Sequence, residues 1–228
     1  MLAAPPPWRI STARFDAVIF DMDGVLVDGE PLHFEAVNAL MGEEGRAITL
    51  DQYKPYMGTK SGWSEMISDF GLTKERSYYS ARYLPLVLEQ YRSKAAPMPG
   101  AVALVHSLRR EGVPIAVASS SIRPWVEACL SKLGLADAFN SIVTGTEVEN
   151  GKPDPEIYLL AANNLGVDPK RCLAIEDAPA GITSAKAAGM TCWAVRTEYT
   201  LGLALPNPHR EFASLVEVDL ADIVGVPV

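Results

Sequence analysis

A short apolar run, Ala17-Val18-Ile19-Phe20, leads directly into Asp21-Met22-Asp23-Gly24. Two carboxylates one residue apart, at the mouth of what reads as a buried strand, repel each other and lose hydration unless a proton or a cation compensates. A divalent ion with oxygen ligands supplies that compensation, which points to magnesium-dependent chemistry. Aspartates also cap turns, and acids at this spacing begin a calcium loop, but the further acids and closing glutamate of that loop are missing. The pattern recurs along the chain. Ser119 ends Ile115-Ala116-Val117-Ala118, Glu176-Asp177 ends Leu173-Ala174-Ile175, and Lys152 follows the Ser141–Thr144 run within Asn150-Gly151-Lys152-Pro153-Asp154-Pro155. Ligands of open parallel sheets bind outside the carboxyl ends of the strands. Acids, a hydroxyl and a cation at those ends therefore describe one pocket. Taken singly, Ser119-Ser120-Ser121 would serve as a helix N-cap, Lys152 as a surface lysine, and Glu176-Asp177 as the start of a helix. Gly151-Lys152 is no nucleotide loop, because Thr146 and Pro153 stand where that motif needs a glycine and a Ser or Thr.

The elements that must position these groups alternate. Strands are expected at Ala17–Asp21, Ile115–Ser119, Ser141–Thr144, Cys172–Glu176 and Thr191–Val195. Helices are expected at Ala101–Glu111, Pro124–Leu133, Pro155–Leu165 and Ala178–Ala188, four of them closed by Gly112, Gly134, Gly166 and Gly189. That rhythm predicts an α/β fold, a Rossmann-like doubly wound parallel sheet with helices on both faces. Between Glu30 and Ala95 the rhythm breaks into helical patterns at Leu32–Met41, Gly62–Phe70 and Ser80–Tyr91, rich in aromatics and without a strand. We read residues 1–13 as a mobile lead-in, 14–29 and 97–228 as the sheet domain, and 30–96 as an inserted helical domain whose two linkers act as hinges.

The chain has 228 residues, 48% of them hydrophobic, and a formal net charge of −8. It is long enough for a substantial core. Its acidity argues against nucleic acid or an anionic membrane as partner, without excluding an anionic small molecule held by local cations. The three cysteines, Cys129, Cys172 and Cys192, sit in apolar segments without metal-ligand spacing and read as buried thiols of a cytoplasmic protein. No apolar run reaches membrane-spanning length.

Asp21-Met22-Asp23-Gly24, Ser119, Lys152 with Pro153-Asp154-Pro155, and Glu176-Asp177 followed by Ala180-Gly181-Ile182 resemble the phosphotransferase branch of the haloacid dehalogenase superfamily, from about Phe15 to Val195. Glu30-Pro31-Leu32-His33 is similar to the start of the helical cap in the subgroup that holds phosphoglycolate phosphatase, sugar-phosphate phosphatases and β-phosphoglucomutase. The resemblance implies that Asp21 attacks phosphorus to form an aspartyl-phosphate, and that Asp23 protonates the leaving alcohol and then activates water. It implies a Mg2+ ion held by Asp21, the Asp23 carbonyl and Asp177, with Glu176 behind them. Lys152 and Ser119, with Ser120 beside it, would hold the phosphoryl oxygens. In the cap, Gly58 and Lys60 are expected to reach the substrate; Trp63 reads either as a ring that stacks on a sugar or as a core aromatic of the helical insert. His33 reads as a hinge-lining or packed residue, and Arg196 as a pocket or solvated one. The dehalogenases and phosphonate hydrolase of that superfamily lack the second aspartate, so the resemblance at Asp23 implies phosphate-ester chemistry, and Lys60 reads as a solvated or substrate-ordering lysine rather than a Schiff-base-forming one.

Two departures are visible. Gly29 stands where relatives often carry Ser or Thr, and Gly58-Thr59-Lys60-Ser61 lacks the arginine of the mutase cap. The reading is a phosphatase for a small phosphomonoester, such as a sugar phosphate. It is expected to work as a monomer, or else a dimer. The rivals are a phosphomutase and a non-catalytic binding protein on the same scaffold.

Overall fold

The computed structural model describes residues 14–56 and 62–225. The expected lead-in, and the loop carrying Gly58 and Lys60, lie outside the described residues. The first apolar run forms strand β1 over Ala17–Phe20, so Asp21 stands one step beyond the strand it was expected to end. The other four expected strands form as read: β2 (Ile115–Ser119), β3 (Ser141–Thr144), β4 (Cys172–Glu176) and β5 (Thr191–Val195). A sixth, β6 (Arg210–Phe212), was not foreseen, because two charges in three residues hide the alternation that marks a strand. Every neighbouring pair is parallel, in the order β3-β2-β1-β4-β5-β6.

The residues after β1 form helices α1 (Glu30–Gly42), α2 (Leu50–Tyr53), α3 (Gly62–Phe70) and α4 (Arg76–Lys94). The short α2, absent from the sequence reading, is set by a capping box: Thr49 Oγ1 accepts from the Gln52 N–H, and Gln52 Oε1 accepts from the Thr49 N–H. Helices α5 (Ala101–Arg110), α6 (Arg123–Lys132), α7 (Glu156–Leu165), α8 (Pro179–Ala187) and the short α9 (Ala221–Val224) follow. The four glycines expected to close helices all have φ between +68° and +83°.

β1, β2 and β4 are buried along their whole length, as a parallel sheet covered on both faces requires. Alternate side chains go to opposite layers. Val18, Phe20, Val117 and Ile175 pack with Leu104, Val105 and Leu108 of α5 and Val126 of α6. Ala17, Ile19, Ala118 and Ala174 pack with Ile157 and Ala161 of α7 and Ile182 of α8. Each fully buried Ile, Leu or Phe contributes about 1.5–3 kcal/mol.

Helices α1 to α4 hold a third cluster, with Leu40, Met41, Met66 and Tyr79 at its centre. The two segments that join these helices to the sheet run side by side: Val27 bridges Pro97, the Asp28 N–H donates to the Ala96 carbonyl, and the Met98 N–H to that of Leu26. All three cysteines are buried and free. Among the described residues no helix is long and apolar enough to cross a membrane.

Candidate active site

Register brings the reactive groups together. Phe20 is level with Val117 of β2 and Ile175 of β4, so the next residue, Asp21, emerges beside Ala118 and Glu176. The loop after β3 delivers Lys152 into this gap. Its Nζ donates to Asp21 Oδ1 (2.5 Å), Glu176 Oε1 (2.6 Å) and the Ala118 carbonyl (2.9 Å), which uses all three ammonium protons. Tyr158 of α7, unnoticed in the sequence, donates to Glu176 Oε1 at 2.6 Å. Glu176 Oε2 accepts from the N–H groups of Asp177 and Ala178. Glu176 is thus held on both oxygens and in turn holds Lys152.

Negative charge is in excess here. Burial raises Asp21 to about 7 against the pull of Lys152, with Glu176 and Asp23 pushing it further up. Burial, then Asp21 and Glu176, drives Asp177 well above the usual carboxylate range. Burial disfavours the Lys152 charge, but Asp21 and Glu176 outweigh it and raise its pKa, so the ammonium stays charged. One lysine cannot neutralise three buried carboxyls.

Ligand oxygens of Asp21, Glu176 and Asp177 lie within 4.8 Å of one another. An all-oxygen, anionic set of this kind fits a hard divalent cation. Gly24 seats Asp177: its φ is +80°, and a Cβ there would stand 2.2 Å from Asp177 Oδ2. Gly24→Ala is therefore expected to weaken divalent-ion affinity at least about tenfold, because displacing a group that orients a ligand typically costs this much. Titration calorimetry with Mg2+ measures it, and unchanged affinity would remove Asp177 from the ion site.

Asp23 takes two hydrogen bonds that the sequence did not announce. Tyr91 of α4 donates to Oδ1 at 2.5 Å, and Ser121 to Oδ2 at 3.0 Å. His33, on α1, contacts Tyr83 through Nδ1 (2.6 Å) and Tyr91 through Nε2 (3.1 Å). Burial lowers its pKa, partly offset by Asp23. Of the expected phosphate ligands, Ser119 is buried and its hydroxyl accepts from the Ser121 N–H (3.1 Å), while Ser120 is exposed; both line the cleft. The only sequence signal for Tyr91 is its place eight residues after Tyr83 on one helix face; Ser121 had none beyond the serine run.

These groups border a cleft of about 610 Å³ whose far wall, from α1 to α4, includes Glu30, Tyr53, Trp63, Arg76 and Tyr83. Trp63 stacks on Tyr79 (centroids 4.8 Å apart, planes at 10°), so one ring face is already occupied. Burial, then Asp23 and Asp28, raises Glu30 to about 7. Arg196 does not line the cleft. It binds Glu211 and the Thr200 and Leu203 carbonyls.

A doubly wound parallel sheet with an aspartate, a lysine and an acidic pair converging at its carboxyl edge, under inserted helices, defines a class of α/β hydrolase. Residues 15–189 match the haloacid dehalogenase-like hydrolase family, and the chain belongs to it. It is 32% identical over 177 residues to a phosphorylated carbohydrates phosphatase of Thermotoga maritima, covering 77% of this chain and 82% of that protein. It is 38% identical over 184 residues to the β-phosphoglucomutase of Bacillus subtilis, covering 76% and 80%. The crystal structure of CbbY from Rhodobacter sphaeroides in complex with phosphate superposes with a TM-score of 0.80 at 28% identity, over 92% of this chain and 99% of that one.

Proposed function

We propose that this enzyme hydrolyses a small phosphomonoester, of the sugar-phosphate kind, through a phosphoryl group carried on Asp21. The observation that carries the reading is the Lys152 ammonium held at 2.5 Å from Asp21 and 2.6 Å from Glu176 at the sheet edge. A buried cation fixed against a carboxylate offsets the repulsion between that carboxylate and an anionic phosphate, and it orients the attacking oxygen. Asp21 attacks phosphorus and the ester oxygen leaves with its bonding pair. Asp23 gives that oxygen a proton, then removes one from the water that cleaves the acyl phosphate. Ser119, Ser120 and neighbouring N–H groups hold phosphoryl oxygens.

Asp21, Asp177 and the Asp23 carbonyl would hold Mg2+, which when bound supplies further positive charge against the phosphoryl oxygens. Glu176 serves behind them by anchoring Lys152. Residues 30–96 act as the cap domain on the core of 14–29 and 97–228, excluding water and, through Gly58 and Lys60, contacting substrate. Free buried thiols suit a cytoplasmic setting.

Phosphate release from a panel of phosphorylated metabolites tests the reading. Release is expected with Mg2+, lost in a chelator and restored by added Mg2+; a panel without turnover, or full activity in the chelator, overturns it. The β-phosphoglucomutase likeness supports a second reading. Glucose 1-phosphate with a bisphosphate activator separates the two: the hydrolase reading expects phosphate release to outrun isomer formation.

A further inference from the structure

We propose that Tyr91 is the positioning residue of Asp23, and that residue 29 is glycine so that Tyr91 can reach it. The inference rests on the reading of Asp23 as the proton donor to the leaving group. The Tyr91 hydroxyl donates its single proton to Asp23 Oδ1. The Tyr91 oxygen can then only accept from His33 Nε2, which fixes His33 as the Nε2–H tautomer, with Nδ1 accepting from the Tyr83 hydroxyl. A chain of side chains from α4 and α1, Tyr83 to His33 to Tyr91, thus ends on one oxygen of Asp23. Tyr91 has no exposed surface, and its ring is held edge-on to His33 (5.7 Å, 82°), so its hydroxyl has little freedom to leave.

Gly29 makes room for this contact. Its φ of −85° and ψ of −29° suit any residue, so conformation does not demand glycine. Space does: a Cβ would stand 2.0 Å from Asp23 Oδ1 and 3.2 Å from the Tyr91 hydroxyl oxygen. Any side chain at 29 would push the carboxylate off its tyrosine. With Oδ1 committed to Tyr91, Oδ2, which among the described residues is hydrogen-bonded only by the rotatable Ser121 hydroxyl, is the oxygen left to carry the proton. In the first step that proton moves from Oδ2 to the ester oxygen as the P–O bond breaks and its electron pair stays with oxygen.

The test uses the dependence on leaving group. p-Nitrophenolate leaves without a proton, whereas an alkoxide needs one. kcat/KM reports events through the first irreversible step, so a displaced proton donor shows there as selective loss on alkyl esters. With the full chain and Mg2+, Tyr91→Phe is expected to lower kcat/KM about tenfold for an alkyl phosphate and less than about twofold for p-nitrophenyl phosphate, a fraction of the usual contribution of a positioned acid. Gly29→Ala, whose Cβ meets Asp23 Oδ1 and then the Tyr91 hydroxyl, is expected to give the same pattern and carries the test if Tyr91→Phe does not fold. Equal losses on both esters, or no loss, would overturn the positioning role. A wild-type enzyme that cleaved neither ester would overturn the hydrolase reading itself.

Discussion

Replacing Asp21 with asparagine abolishes turnover while leaving the protein at least as stable as before. The amide keeps the shape of the side chain and removes the attacking oxygen's charge, and loss of a covalent nucleophile costs on the order of 10⁴-fold or more in kcat. Wild-type enzyme quenched in acid during turnover of a radiolabelled ester is expected to retain labelled phosphate on protein; the variant retains none. The stability half follows from electrostatics. Burial first, and then the neighbouring Glu176 and Asp23, weaken the acidity of Asp21 against the pull of Lys152. Removing one of the crowded carboxylates relieves repulsion and leaves Lys152 paired with Glu176 at 2.6 Å. Without divalent ions, the melting temperature of Asp21→Asn should equal or exceed that of wild type. A clear fall, or residual wild-type turnover, would mean that Asp21 is held as a structural partner and not as a reactive one.

Lys152→Ala should show the opposite relation, losing activity and stability together. The Lys152 side chain is 7% exposed and its partner Glu176 only 1%. Its removal leaves the buried Asp21 and Glu176 without their cation, and breaking a buried pair from one side costs about 3–5 kcal/mol. Chemical denaturation reads that loss as a lower midpoint with an unchanged slope. Activity should fall by at least about 10²-fold, as when a charged group aimed at developing negative charge is removed. If Lys152→Ala melted like wild type, the trio of Lys152, Asp21 and Glu176 would not be the organising contact of this site.

The two variants separate roles that sequence alone assigns to one cluster. Asp21 was legible because it stands beside a strand end and Lys152 because it lies in the loop that follows one, and strand ends in a parallel sheet share an edge. Glu176 was legible as an acid of that edge, but its task was not. The contacts that give it one, from Lys152 and from Tyr158 on α7, join residues 24 and 18 positions away. Gly24 and Gly29 show the same divide. Their identity is plain in the sequence, yet the carboxylates that would collide with a Cβ at each become visible only once the chain is folded.

The first five strands, the helices between them and the placing of acids and a lysine after strand ends were legible in local sequence, since apolar runs, helix caps and turn glycines act over a few neighbouring residues. What tertiary structure alone decided was who holds whom: Tyr91 and Ser121 on Asp23, Tyr158 on Glu176, Trp63 against Tyr79, and a sixth strand completed by pairing rather than by its own composition. Hydrogen bonds and ring contacts between residues tens of positions apart depend on how the inserted helices settle on the sheet edge, and no short-range pattern encodes that packing.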